Sequence, residues 1–129
     1  MMNGQAGIEF FVYVSLVLLL LSIFLYSSYS KQAELMEKRI ENEVREIAES
    51  AAFEINSAVK AGDGYERRFN MKDYYSTLRD FNITILGNTV KVNFGNKHHY
   101  GNLLTDRIVG NFTLDWNRIR NDNGVIYVN

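Results

Sequence analysis

Apolar positions crowd the start of the chain. From Ile8 to Tyr26 almost every residue is apolar, and no charge stands between Glu9 and Lys31. Neither glycine nor proline interrupts the stretch from Ile8 to Ala61. A helix through Phe10–Ser30 would hold about 21 residues and measure roughly 30 Å, enough to cross the hydrocarbon of a bilayer. After Ser30 the chain becomes charged while keeping a helical period. Ala33, Met36, Ile40, Val44, Ile47, Ala51, Ile55 and Ala58 recur at steps of three and four, which is one face of a helix. Glu34 with Lys38, and Glu41 with Arg45, are favourably ordered i,i+4 pairs. One rod of roughly 80 Å from Ile8 to Ala61 is therefore expected, softest at Ser27-Ser28-Tyr29-Ser30. Its apolar stripe is either a seam with other chains or, as favoured for most of its length, the face on which the rest of the chain packs.

Gly62-Asp63-Gly64 is a helix stop, and beyond it the period falls to two. Phe81, Ile83 and Ile85 alternate with polar residues, as do Val90, Val92 and Phe94, and Gly87-Asn88 joins the two runs as a hairpin turn. Phe112, Leu114 and Trp116 form a third alternating run. Asn121-Asp122-Asn123-Gly124 then turns into Val125–Val128. Tyr65–Met71 is a candidate first strand, and 97–108 reads as a loop with a short strand or helical turn. The expected class is α+β: a long N-terminal helix, half transmembrane and half amphipathic, packed against a head of four to six antiparallel strands. A head of about 68 residues has a marginal core unless the helix covers it.

Composition narrows the chemistry. The chain of 129 residues carries a net charge of −1, so charge offers no argument for nucleic acid as a partner. It has no cysteine, which removes disulfides and thiolate metal sites.

Glu9 stands at the amino end of the apolar run. A carboxylate in an apolar helix costs about 2.5–3.5 kcal/mol at mid-membrane and less toward the interface, so it calls for a cationic partner. No lysine or arginine precedes it, and Lys31 is roughly 33 Å further along a helix. An α-amino group created by a cut after Gly4 would stand at Gln5, one helical turn away, or could meet Glu9 of a neighbouring chain.

Gly4, then Gln5-Ala6-Gly7-Ile8-Glu9-Phe10 and an apolar run, resembles the class III signal peptide of archaeal type IV pilins. Gly7 stands where that family usually has serine, and the segment before the cut, Met1–Gly4, has no basic residue. The resemblance implies cleavage between Gly4 and Gln5 by a prepilin peptidase on the cytoplasmic side. It divides the chain into a leader (1–4), an apolar membrane and filament-core helix (5–30), its amphipathic continuation (31–61) and a β-rich head (62–129). It also implies assembly through Glu9 and Phe10 into a surface filament serving adhesion, motility or DNA uptake, with the apolar helices bundled and the head extracytoplasmic. Implied partners are other copies of the chain, the lipid bilayer, the peptidase, an assembly ATPase and its membrane platform protein; no nucleic acid and no cofactor are implied.

Two plainer readings of the same stretch stand beside it. One is a secretory signal cut near Ser28-Tyr29-Ser30, whose apolar core is too long for that class. The other is a single-pass anchor for an accessory or binding protein that does not polymerise. Lys31, Lys38, Arg39 and Arg45 follow the apolar run, and by charge bias alone would keep the head in the cytoplasm.

Asn82-Ile83-Thr84 and Asn111-Phe112-Thr113 fit the N-glycosylation pattern, and both asparagines are expected on strands facing solvent. His98-His99 would point apart on a strand and suit one metal poorly. Tyr65, Tyr74, Tyr75, Tyr100 and Trp116 are either an adhesive, sugar-stacking surface or core filler. No phosphate loop, activated nucleophile or carboxylate dyad is recognisable, so an enzyme is not expected.

Overall fold

The computed structural model describes residues 2–129. One helix, α1, runs from Met2 to Ala61. Seven strands follow: β1 (Glu66–Asn70), β2 (Asn82–Leu86), β3 (Thr89–Phe94), β4 (Lys97–Asn102), β5 (Ile108–Gly110), β6 (Trp116–Asp122) and β7 (Val125–Val128). A single 3-10 turn, Met71–Tyr74, separates β1 from β2. The α+β class agrees with the sequence pattern, and the helix passes through Ser27–Ser30 without interruption. The chain divides into two compact units, one ending at Lys38 and one from Arg39 to Asn129.

In the second unit the strands form two sheets, β1-β6-β7-β5 and β2-β3-β4. Seven strands replace the expected four to six, and the first sheet is mixed, because β5 pairs parallel to β7. That contact needs a glycine. Gly110 has φ +99, and a Cβ there would collide with the Val128 carbonyl.

The hairpins follow turn chemistry. Leu86 pairs with Thr89 across Gly87-Asn88, with Gly87 at φ +58. Asp122 pairs with Val125 across Asn123-Gly124, both at positive φ as a type I′ turn requires. A third tight turn, Gly95-Asn96, sets Phe94 opposite Lys97 and opens β4. Residues 97–102 are therefore a six-residue strand, where a loop with a short strand or helical turn was expected over 97–108. Their inner positions are Lys97, His99 and Gly101, which carry no apolar alternation. Gly101 occupies a core position because α1 is too close for a side chain. A Cβ there would lie 2.6 Å from the Ala48 carbonyl oxygen and 2.8 Å from Ala52 Cβ.

The stretch Phe112–Trp116 also departs from the pattern. Residues 111–115 are irregular, and β6 starts at Trp116, which faces outward at 58% exposure instead of continuing the Phe112–Leu114 face. Buried Asn117 resets the parity. Its Oδ1 accepts from the Thr113 amide at 2.7 Å, and its Nδ2 donates to the carbonyls of Thr113 and Asp115. Asn117, Ile119 and Asn121 then become the inward set.

Within this unit α1 lays Val44, Ile47, Ala48, Ala51, Ala52, Ile55 and Ala58 into one buried cluster with Phe69, Ile83, Val90, Val92, Ile119 and Ile126. A fully buried isoleucine such as Ile47 or Ile55 contributes about 1.5–3 kcal/mol through area removed from water. The stripe packs on the strands from Ile40 onward, as favoured, while Ala33 and Met36 are exposed. Asn121 closes the helix end: its Nδ2 donates to the Ala58 carbonyl at 2.9 Å and its Oδ1 accepts from the Gly124 amide. Gly62, at φ +84, terminates α1.

Candidate functional site

In the first unit the chemistry lies along the opening turns of α1. Gly4, Gln5, Glu9 and Phe10 all sit in this helix, so Gln5 and Glu9 are one turn apart. The side chains from Asn3 to Ser27 are exposed, including Ile8, Phe10, Phe11, Leu16, Leu20 and Phe24. The apolar surface therefore extends around the whole helix circumference. A helix apolar all round belongs in a membrane or inside a bundle, because in water every one of those side chains would be solvated. By length and composition α1 is a candidate membrane anchor. Ser15 and Ser22 return their hydroxyls to the carbonyls of Phe11 and Leu18, both at 2.8 Å, so they present no unpaired donor to an apolar surrounding. Among the described residues no side chain pairs with Glu9. An added Cβ at Gly7 would meet nothing within 4 Å, so a serine fits there equally well.

Of the two expected helix ion pairs, Glu34–Lys38 forms at 3.3 Å, while Arg45 donates to Asn42 at 3.3 Å instead of to Glu41. Such exposed pairs contribute a few tenths of a kcal/mol.

The second unit holds two buried carboxylates that the sequence reading passed over. Glu43 accepts from the Ser76 hydroxyl at 2.9 Å, from the Thr77 amide at 3.1 and 3.0 Å, and from the Leu78 amide at 3.1 Å. Burial opposes its charge, but the hydrogen bonds from Ser76, Thr77 and Leu78 together outweigh burial and hold the carboxyl below its ordinary value. Glu54, 1% exposed, accepts from the Tyr74 hydroxyl at 3.0 Å and faces Arg67 at 3.5 Å. Burial, then the bond to Glu54 and its charge, push the Tyr74 phenol upward. Both glutamates were legible in principle: with Ile47, Ala51 and Ala58 they complete the helical spacing of the core face.

The two sequon asparagines are exposed but lie apart. Asn82 is on β2 as expected. Asn111 is in the irregular segment and not on a strand; its Oδ1 accepts from its neighbour's amide, Phe112 N. His98 and His99 occupy opposite faces of β4, His98 edge-on to Tyr100 and His99 3.9 Å from Glu49. Among the described residues, no three His, Cys, Asp or Glu side chains gather to hold a metal. The aromatic set splits. Tyr65, Tyr74 and Tyr75 pack against the core, with the Tyr75 hydroxyl on the Leu114 carbonyl, while Tyr100 and Trp116 are exposed.

Comparison with protein-family models, with curated proteins and with solved structures finds no match.

Proposed function

We propose that the chain is a structural subunit, major or minor, of an archaeal type IV pilus-like surface filament, cut after Gly4 by a prepilin peptidase. The observation that carries this reading is the opening of α1. Its apolar side chains are exposed around the full circumference, and one carboxylate, Glu9, which has no partner among the described residues, stands at their amino end. An anchor needs the first feature and gains nothing from the second. A bundle of identical helices uses both: apolar surface covers apolar surface, and Glu9 of one copy meets the new α-amino group at Gln5 of another. A charge pair of this kind contributes more to register than to raw stability, because each ion loses its water on burial. Before assembly the same helix would hold the precursor in the bilayer, with residues 39–129 outside the cell. Asn82 and Asn111, both exposed, would then be open to glycosylation. The assembly ATPase and its membrane platform are the partners this role requires.

The distribution of cations favours a second reading, an anchored accessory or binding protein that never polymerises. Lys31, Lys38, Arg39 and Arg45 all follow the apolar stretch. Counting surface filaments in cells carrying Glu9→Ala separates the two. The filament reading expects assembly to fail while residues 39–129 remain folded, since the substitution lies outside that unit. Normal filament numbers from Glu9→Ala would remove Glu9 from the assembly mechanism.

A further inference from the structure

The two sequon asparagines differ in their surroundings. Asn111 Oδ1 is taken by the Phe112 amide, whereas the Asn82 side chain has no hydrogen-bond partner among the described residues. Asn82 stands on the outer face of the three-stranded sheet, at its β2 edge. A hollow of about 350 Å³ opens beside it, bounded by Asp80, Asn93 and Gly95, a volume within the range of small-ligand sites. Strand pairing places Asn82, Asn93 and His98 in one cross-strand row and Thr84, Lys91 and Tyr100 in the next. The Tyr100 ring is 48% exposed yet held in place: Lys91 Nζ lies 5.8 Å from its centre, and His98 meets it edge-on at 5.6 Å. Among the described residues, Lys91 is the one permanent charge at an outward position of these strands, and Asp80 stands at the corner before β2.

We infer that this face seats the glycan carried by Asn82 of the same chain. The inference rests on the reading above only in placing residues 39–129 outside the cell; it needs no filament. The glycan arrives from a lipid-phosphate-linked oligosaccharide: Asn82 Nδ2 bonds to the anomeric carbon, the lipid phosphate leaves with the bonding pair, and an amide proton passes to solvent. A sheet face with one lysine departs from an ordinary solvated surface, where about a quarter to a third of residues are charged. An anionic polymer would need a row of cations, and a protein partner an apolar centre. The face has neither. Its amides and hydroxyls both donate and accept, as sugar hydroxyls do. The slightly positive C–H face of a sugar ring rests on the electron-rich face of an aromatic ring such as Tyr100. Tyr100 lies two strands across and two residues along from Asn82, roughly 12 Å between backbones, so a short oligosaccharide that fills the hollow reaches it. The tether selects this occupant over a free sugar. A covalent link holds the glycan at an effective concentration of about millimolar, where weak contacts suffice. Asn111 lies outside this sheet, so a glycan there extends into solvent.

The test uses the full chain purified from its native cells in detergent micelles. Peptide mass mapping reads the state of Asn82, and NMR of the intact glycoprotein follows its sugar protons. Expected are a glycan on Asn82, nuclear Overhauser contacts from its sugars to the Tyr100 and His98 rings, and sugar relaxation that matches the backbone of the second unit. Tyr100→Ala should abolish the contacts and free the glycan, while Tyr100→Phe, which keeps the ring, should preserve them. Trp116→Ala, on the other sheet, should change neither. Asn82→Gln should lower the melting midpoint by about 4 °C or more, and Asn111→Gln should leave it in place. An unmodified Asn82 overturns the proposal, whatever the state of the amino terminus. So does an Asn82 glycan that is mobile in the native chain, or one that Tyr100→Ala leaves ordered. Tyr100 shifts on adding a free dextran oligomer to the glycosylated chain would show the face open and overturn it as well. A chain that keeps Met1–Gly4 and carries a docked glycan on Asn82 supports this inference while removing the filament reading.

Discussion

Replacing Glu43 by alanine tests how the second unit is held together. The carboxylate collects the Ser76 hydroxyl and the amides of Thr77 and Leu78, three consecutive residues of the segment that links the 3-10 turn to β2. Hydrogen bonds to a charged acceptor contribute about 1.5–3 kcal/mol each, and a buried donor left without a partner costs about 1–3 kcal/mol. Ser76 is exposed and Thr77 half-exposed, so both regain water when the carboxylate is removed; Leu78, 2% exposed, does not. Counting the Leu78 amide in full and the other two in part gives a loss of about 3–4 kcal/mol for Glu43→Ala. Glu43→Gln keeps one acceptor oxygen and the shape, and should lose about half as much. The assay is denaturant unfolding of the micelle-bound chain followed by Trp116 fluorescence. Acid supplies an independent check. The folded carboxyl titrates below the unfolded one, so its contribution is present above the unfolded value of about 4.5 and fades as pH falls through the folded value. The stability gap between the native chain and Glu43→Gln should therefore close from about pH 4.5 downward. A Glu43→Ala loss under about 1 kcal/mol, or a gap that stays constant in acid, would refute the reasoning.

Gly101→Ala should cost about 3 kcal/mol by the same assay, because the new methyl meets a backbone oxygen and a short side chain that have no rotamer to yield. Asn121→Ala strips the Ala58 carbonyl and the Gly124 amide of their partner and should cost about 2–4 kcal/mol. A fragment comprising residues 39–129 contains the whole buried cluster and should give a dispersed amide NMR spectrum without detergent; a collapsed spectrum would show that it depends on the preceding helix.

The parts of the fold that the sequence disclosed are those where one residue type answers one local need. The unbroken helix to Ala61, its glycine stop, and the Gly87-Asn88 and Asn123-Gly124 turns are of that kind. The extent of strand β4, expected only as a short strand or helical turn, was hidden because its inward position is filled by Gly101, chosen for the closeness of α1, a distance no strand periodicity records. The register of β6 was hidden because Asn117 is buried as a hydrogen-bonding hub, so a polar residue stands where an apolar one is expected. Helical spacing placed Glu43 and Glu54 on the core face, but their partners, Ser76 to Leu78 and Tyr74, lie 20 to 35 positions away and are brought close only by folding. The proposed assembly segment could be picked out from the sequence because Gly4, Gln5, Glu9 and Phe10 lie in adjacent turns of one helix.

The most direct measurement is the intact mass of the chain recovered from sheared surface filaments and, separately, from detergent-solubilised membranes. The account predicts a filament-borne species that begins at Gln5, lacking Met1–Gly4, with or without glycan increments. A chain found in membranes alone, uncut or beginning after Ser30, would contradict it.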